Sequence, residues 1–139
     1  MFEIPIQNFP ALLSIDEKDE KIYDKLKDEE PFFKELENKD LVLLAMTYGY
    51  YHNTKLKIEK KKGYVRTSYL KPEDFTLIYS IAITEESPEI IDKPERIYQI
   101  VEEYARGGLF LINNKINTMQ FGSFDKEFEK IIVEAFTDR

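Results

Sequence analysis

Apolar positions recur along this chain with helical spacing in several places, and each run predicts an element. Ile97, Ile100, Val101, Tyr104 and Ala105 fall at i, i+3, i+4, i+7 and i+8, which is one buried face of an α-helix. Asp92-Lys93-Pro94-Glu95 opens that helix, and Gly107-Gly108 reads as its stop or as a sharp bend. Leu109–Ile112 packs next, and Asn113-Asn114 breaks it. Leu41–Tyr48 is apolar on every side, the mark of a buried helix, with Asn38 and Asp40 as caps. Gly49 then reads as the point where the chain turns out to Tyr50, Tyr51 and His52. Pro72-Glu73-Asp74 is a helix start that leads into Phe75–Ile83. That run is also rich in strand formers, and helix is the reading taken.

Three further stretches complete the plan. Ile22, Tyr23 and Leu26 share one face of an amphipathic helix that Pro31 ends, and Phe32, Phe33 and Leu36 suggest one more short turn. Ser123 caps a last helix whose stripe is Phe124, Phe128, Ile131, Ile132, Ala135 and Phe136. Residues 55–58 alternate with period two, Gly63 supplies a turn, and Tyr64–Thr67 alternates again, which predicts a β-hairpin near 55–67. Residues 1–15, with Pro5 and Pro10, read as an extended N-terminal arm or short strand on the core. The expectation is a mainly α protein, a compact helical bundle of about five to six helices in a single domain spanning 1–139, with residues 54–71 as a basic hairpin insertion.

Composition narrows the function. Hydrophobic residues make up 42% and aromatics 14%, enough for a core without staples. With no cysteine, a disulfide framework, a thiolate metal site and a Cys nucleophile are excluded. The single histidine, His52, sits in an expected loop with no nucleophile motif beside it, and the reading is an incidental residue. The acidic runs at 16–20 and 28–30 lack the spacing and glycine of a calcium loop, and Gly107-Gly108 is not followed by the Lys-Ser/Thr of a phosphate loop. No cofactor, metal or catalytic residue is expected. No basic, apolar leader is visible, and the longest apolar runs, Leu41–Met46 and Phe75–Ile83, fall short of the ~20 residues that span a bilayer, so a soluble cytoplasmic protein is expected. The Lys/Glu-rich, Cys-free composition is thermophile-like, although an AT-rich genome gives the same bias.

Charge changes the picture most. Lys55, Lys57, Lys60, Lys61, Lys62, Arg66 and Lys71 face only Glu59 within residues 54–71, so this segment is +6 in a chain of net charge −7, and the rest is −13. Three readings stand. The lysines, with Tyr64 and Tyr69, track and stack on nucleic acid. They guard an edge strand against aggregation. Or they dock on an acidic partner, such as another copy's Asp16–Asp40 segment. Tyr48, Tyr50, Tyr51, Tyr64 and Tyr69 lie close in sequence and suggest an interface, for example a homodimer.

Two stretches carry a family resemblance. One is Phe33-x-x-Leu36-x-Asn38-Lys39-Asp40-Leu41-Val42-Leu43-Leu44-Ala45-Met46-x-x-Gly49-Tyr50, and the other is Ile100-x-Glu102-Glu103-Tyr104-Ala105-Arg106-Gly107-Gly108-Leu109. In that order they resemble small prokaryotic proteins associated with the Dnd DNA-phosphorothioation system. The resemblance implies a helix ending at Gly49, a basic variable loop, and a helix end at Gly107-Gly108. Lys39, Asp40, Gly49, Glu103, Tyr104, Gly107 and Gly108 would be structural, and no active-site residue is implied. The expected function is a non-catalytic accessory protein of a DNA modification or defence system, contacting nucleic acid or a partner protein through Lys55, Lys57, Lys60, Lys61, Lys62, Tyr64 and Arg66. The alternatives are an acidic homo-oligomeric structural protein, and a metal-dependent enzyme using dispersed carboxylates.

Overall fold

The structure is a computed structural model and describes residues 8–118. Its elements run β1 (Leu12–Asp16), α1 (Glu20–Glu29), α2 (Asn38–Tyr51), β2 (Lys61–Arg66), α3 (Pro72–Glu85) and α4 (Pro94–Thr118), with 3-10 turns at Glu17–Asp19, Thr67–Tyr69 and Pro88–Asp92. The protein is mainly α, as the apolar spacing predicts. The described residues hold four α-helices rather than five to six. Residues 31–35 form turns only. The expected helix at 124–136 lies outside the described residues.

Local chemistry explains the helix ends. Asp40 Oδ2 accepts the Glu37 N–H at 3.3 Å and Asp74 Oδ2 accepts the Lys71 N–H at 2.8 Å, each acid reaching back from the third helical position. Pro72 occupies the first turn of α3, where its missing N–H costs nothing, and Phe75–Ile83 is helical throughout. Glu30, the residue before Pro31, is extended and ends α1.

Two expectations about glycine are corrected. Gly49 lies inside α2, which runs on to Tyr51; the left-handed residue that turns the chain is Asn53, at φ 53°. Gly107 and Gly108 do not stop or bend a helix, since α4 continues through them and through Asn113-Asn114 to Thr118. The physical reason is a close crossing. A Cβ on Gly108 would sit 1.7 Å from the Ala45 carbonyl oxygen, and one on Gly49 2.1 Å from the Tyr104 carbonyl oxygen. A Cβ on Gly107 would lie 2.1 Å from the carbonyl oxygen of Thr54. Packing of backbone on backbone between α2 and α4 outweighs the weak helix propensity of glycine.

The hairpin expectation is corrected in its pairing. β2 is a strand, but its antiparallel partner is β1, with Leu13 opposite Val65 and Asp16 opposite Lys61, and a register irregularity between Leu13 and Ser14. Residues 12–15 of the expected arm are thus strand, together with Asp16, and residues 54–60 are irregular chain. The hydrophobic cluster joins both strands to the helices. Phe9 packs on Phe75 and Tyr98 with ring centroids 5.2 and 4.9 Å apart, and Met46, Ile78, Ile81, Ile97 and Ile100 are wholly buried. No helix among the described residues is long and apolar enough to cross a membrane.

Candidate interaction surface

The basic segment does not stand apart from the acidic one. Lys60 Nζ lies 3.4 Å from Glu17, Lys61 Nζ 3.3 Å from Glu102, and Lys62 Nζ 2.6 Å from Glu20. Lys55 pairs with Glu85 at the end of α3 and sits over the Tyr104 ring, 5.6 Å from its centroid. Glu85 Oε2 also accepts the Tyr104 hydroxyl at 2.5 Å, and these two hydrogen bonds hold the Glu85 carboxyl below its usual range. Four of the expected binding lysines therefore already face carboxylates of the same chain.

The remaining expected residues divide between core and open surface. Tyr64 is half-buried and stacks on Tyr23 of α1, with centroids 5.3 Å apart, and burial pushes its hydroxyl up to about 12. Lys57, Arg66 and Lys71 are exposed. Arg66 lies 6.0 Å from the ring of Tyr69, which is 63% exposed. Of the other tyrosines expected at an interface, Tyr48 is buried, Tyr50 is half-buried edge-on to Tyr104 at 5.5 Å, and Tyr51 is exposed. His52 caps α2 against Tyr48 and Tyr51.

The motif residues brace this surface from beneath. Gly107 lets Thr54 lie on α4, the Glu103 carbonyl accepts the Leu56 N–H at 3.1 Å, and Arg106 Nη1 donates to the Lys57 carbonyl. Lys39 pairs with Asp74 at 3.2 Å and ties the start of α2 to the start of α3. The two motifs thus meet at the α2–α4 crossing, and the 54–60 chain is laid over it.

A buried polar cluster beneath the segment was not anticipated. Arg106 reaches Asp16 Oδ2 at 3.3 Å through Nη1 and Asp19 Oδ2 at 3.4 Å through Nε. Asp16 Oδ2 also accepts the N–H groups of Glu59 and Lys60 at 2.8 and 3.3 Å, and Oδ1 accepts that of Lys18 at 3.0 Å. Burial opposes the Asp16 charge, but these amides and Arg106 together hold its carboxyl below its usual value. Asp19 goes the other way: burial raises it to about 6, with Arg106 opposing and Asp16 adding. Glu102, 2% exposed, accepts the Ser14 N–H at 2.7 Å, so that α4 covers the outer edge of β1. Burial raises this carboxyl as well, against Ser14 and Lys61. The available signal was Tyr98, Glu102 and Arg106 at i, i+4 and i+8, polar and aromatic groups on the inward side of an otherwise apolar helix.

Among the described residues no group of three or more His, Cys, Asp or Glu side chains could hold a metal ion. The buried acids are instead matched by Arg106, Lys61 and backbone amides. The arrangement fixes the path of residues 54–66 and presents Lys57, Arg66, Tyr69 and Lys71 outward.

A family model described as DNA sulphur modification system-associated protein 4 matches residues 14–137. No curated protein and no solved structure matches the chain.

Proposed function

The chain belongs to the DNA sulphur modification system-associated protein 4 family, and from that premise we propose that it is a non-catalytic accessory protein whose 54–71 segment contacts a partner protein of that system in the cytoplasm. The observation that supports a protein over a nucleic acid is the pairing of Lys60, Lys61 and Lys62 with Glu17, Glu102 and Glu20. A phosphate backbone would have to displace carboxylates already at hand, and the acids of α1 would repel it. A protein surface tolerates such a mixed rim around exposed anchors, and Tyr69 beside Arg66 is the residue chemistry of an interface centre.

Co-expression with the other proteins of the modification system, followed by capture on the tagged full chain, tests the reading. Retention of one of those proteins by the wild type, and its loss from a Lys57→Glu, Arg66→Glu, Tyr69→Ala variant, is the expected result. Capture of none, or equal capture by the folded variant, contradicts it.

A further inference from the structure

α4 and the chain of residues 57–61 enclose a cleft of ≈ 420 Å³. Lys57 and Lys61 line one wall, and Glu95, Gln99, Glu102 and Glu103 line the other. Arg96 borders it too, but its Nε donates to Glu86 Oε1 at 2.6 Å, so its charge is matched elsewhere. Three carboxylates then face two ammonium groups, and the cleft favours a cation.

Its chemistry converges on one atom. Glu102 is 2% exposed and its Oε2 is occupied by the Ser14 N–H at 2.7 Å. Oε1 is buried, and its one near cation among the described residues is the Lys61 ammonium, 3.3 Å away. The Lys61 side chain is 58% exposed and can leave for water, whereas the Glu102 side chain, 1% exposed, cannot. A buried carboxylate oxygen held only by an exposed lysine favours exchange for a stronger donor. A guanidinium suits it better than an ammonium: it is planar, less tightly hydrated, and carries further N–H groups for the amide of Gln99 and the carboxylate of Glu103.

We propose that this cleft receives an arginine side chain of the partner protein, its guanidinium hydrogen-bonding Glu102 Oε1 as Lys61 swings out to solvent. The inference rests on the reading of the 54–71 segment as a protein contact, and it names the chemistry that contact recognises.

A titration of the full chain with N-acetyl-arginine amide, followed by backbone amide shifts, tests the cleft alone. The expected result is saturable shifts confined to residues 57–61 and 95–103, with N-acetyl-lysine amide binding weaker by about threefold or more. Glu102→Gln abolishes the shifts and Lys61→Ala preserves or strengthens them. Should Glu102→Gln fail to fold, the Glu95→Gln, Glu103→Gln variant at the cleft mouth weakens binding instead. Absent saturation, equal binding of the lysine amide, or unchanged binding in the folded carboxylate variants overturns the proposal. That failure leaves the capture experiment above standing, because capture reads the whole surface; lost capture with an intact titration removes the wider reading alone.

Discussion

Lys62 Nζ lies 2.6 Å from Glu20 Oε1, joining β2 to the first turn of α1. The same pattern repeats at Lys60 with Glu17 and at Lys61 with Glu102. The +6 segment and the acidic stretch before it, which look like opposite poles in the sequence, meet face to face in the fold. Glu17 and Glu20 follow β1 directly and Lys60 and Lys62 lie beside or within β2, so these two pairs accompany the β1–β2 pairing, whereas Glu102 comes from α4.

These pairs differ in worth because they differ in burial. The Lys62–Glu20 pair is exposed, so water and salt screen it, and Lys62→Ala leaves the urea midpoint essentially unchanged. Arg106→Ala is the contrasting case. It strands Asp16, 1% exposed, and Asp19 without their cation, and the expected loss is about 3–5 kcal/mol in urea denaturation.

At the helix crossing, propensity and packing predict opposite signs. Alanine is the better helix former by about 1 kcal/mol, so Gly108→Ala would stabilise an isolated α4. In the folded chain its Cβ would fall 1.7 Å from the Ala45 carbonyl oxygen, and backbone must move to admit it. The expected net effect is a destabilisation of about 2 kcal/mol or more, read as a lower urea midpoint with unchanged slope.

Asp19 makes stability depend on pH in an unusual direction. Its carboxyl is raised from 3.8 to about 6 in the fold, so the folded state holds its proton where the unfolded chain has lost it. The penalty is therefore full above pH 6 and is relieved as pH falls toward 3.8. Glu102, also raised by burial, adds in the same sense. Asp16 and Glu85, both held low, contribute stability that is lost only at more acid pH, below the ordinary carboxylate range. Lowering pH from 7 to 5 should raise the unfolding free energy by about 1 kcal/mol through Asp19, and Asp19→Asn should remove that gain. A wild-type profile that falls over this range would contradict the assignment.

What was legible in the sequence was what is decided locally. The stripe from Ile97 to Ala105, the all-round apolar run of α2 and the Pro72-Glu73-Asp74 start each name their element, because helical period and capping are read within a few residues. What was not legible depended on distant chain. Gly107-Gly108 looks like a stop until Ala45 and Thr54 lie against it, and β2 looks like half of a local hairpin until β1 is brought to it from fifty residues away. The basic segment was found from charge alone, but its pairing with Glu17, Glu20, Glu85 and Glu102 could not be, since those acids are spread over the 3-10 turn after β1, α1, α3 and α4. Asp16, Asp19 and Arg106 were missed for the same reason: no spacing rule joins residues 87–90 apart, although Arg106 on the inward side of α4 was a visible cue.

Lys55, Lys60, Lys61 and Lys62 are held by the chain's own acids, and we propose that the surface they border faces a protein. A low-salt titration of the full chain with fluorescent 20-nucleotide single-stranded and duplex DNA and RNA measures this most directly. No saturable binding tighter than about 100 μM at 50 mM salt is expected, and no difference between the wild type and the Lys60→Glu, Lys61→Glu, Lys62→Glu variant. Micromolar affinity that falls by about tenfold or more between 50 and 200 mM salt, and that disappears in that variant, would contradict it.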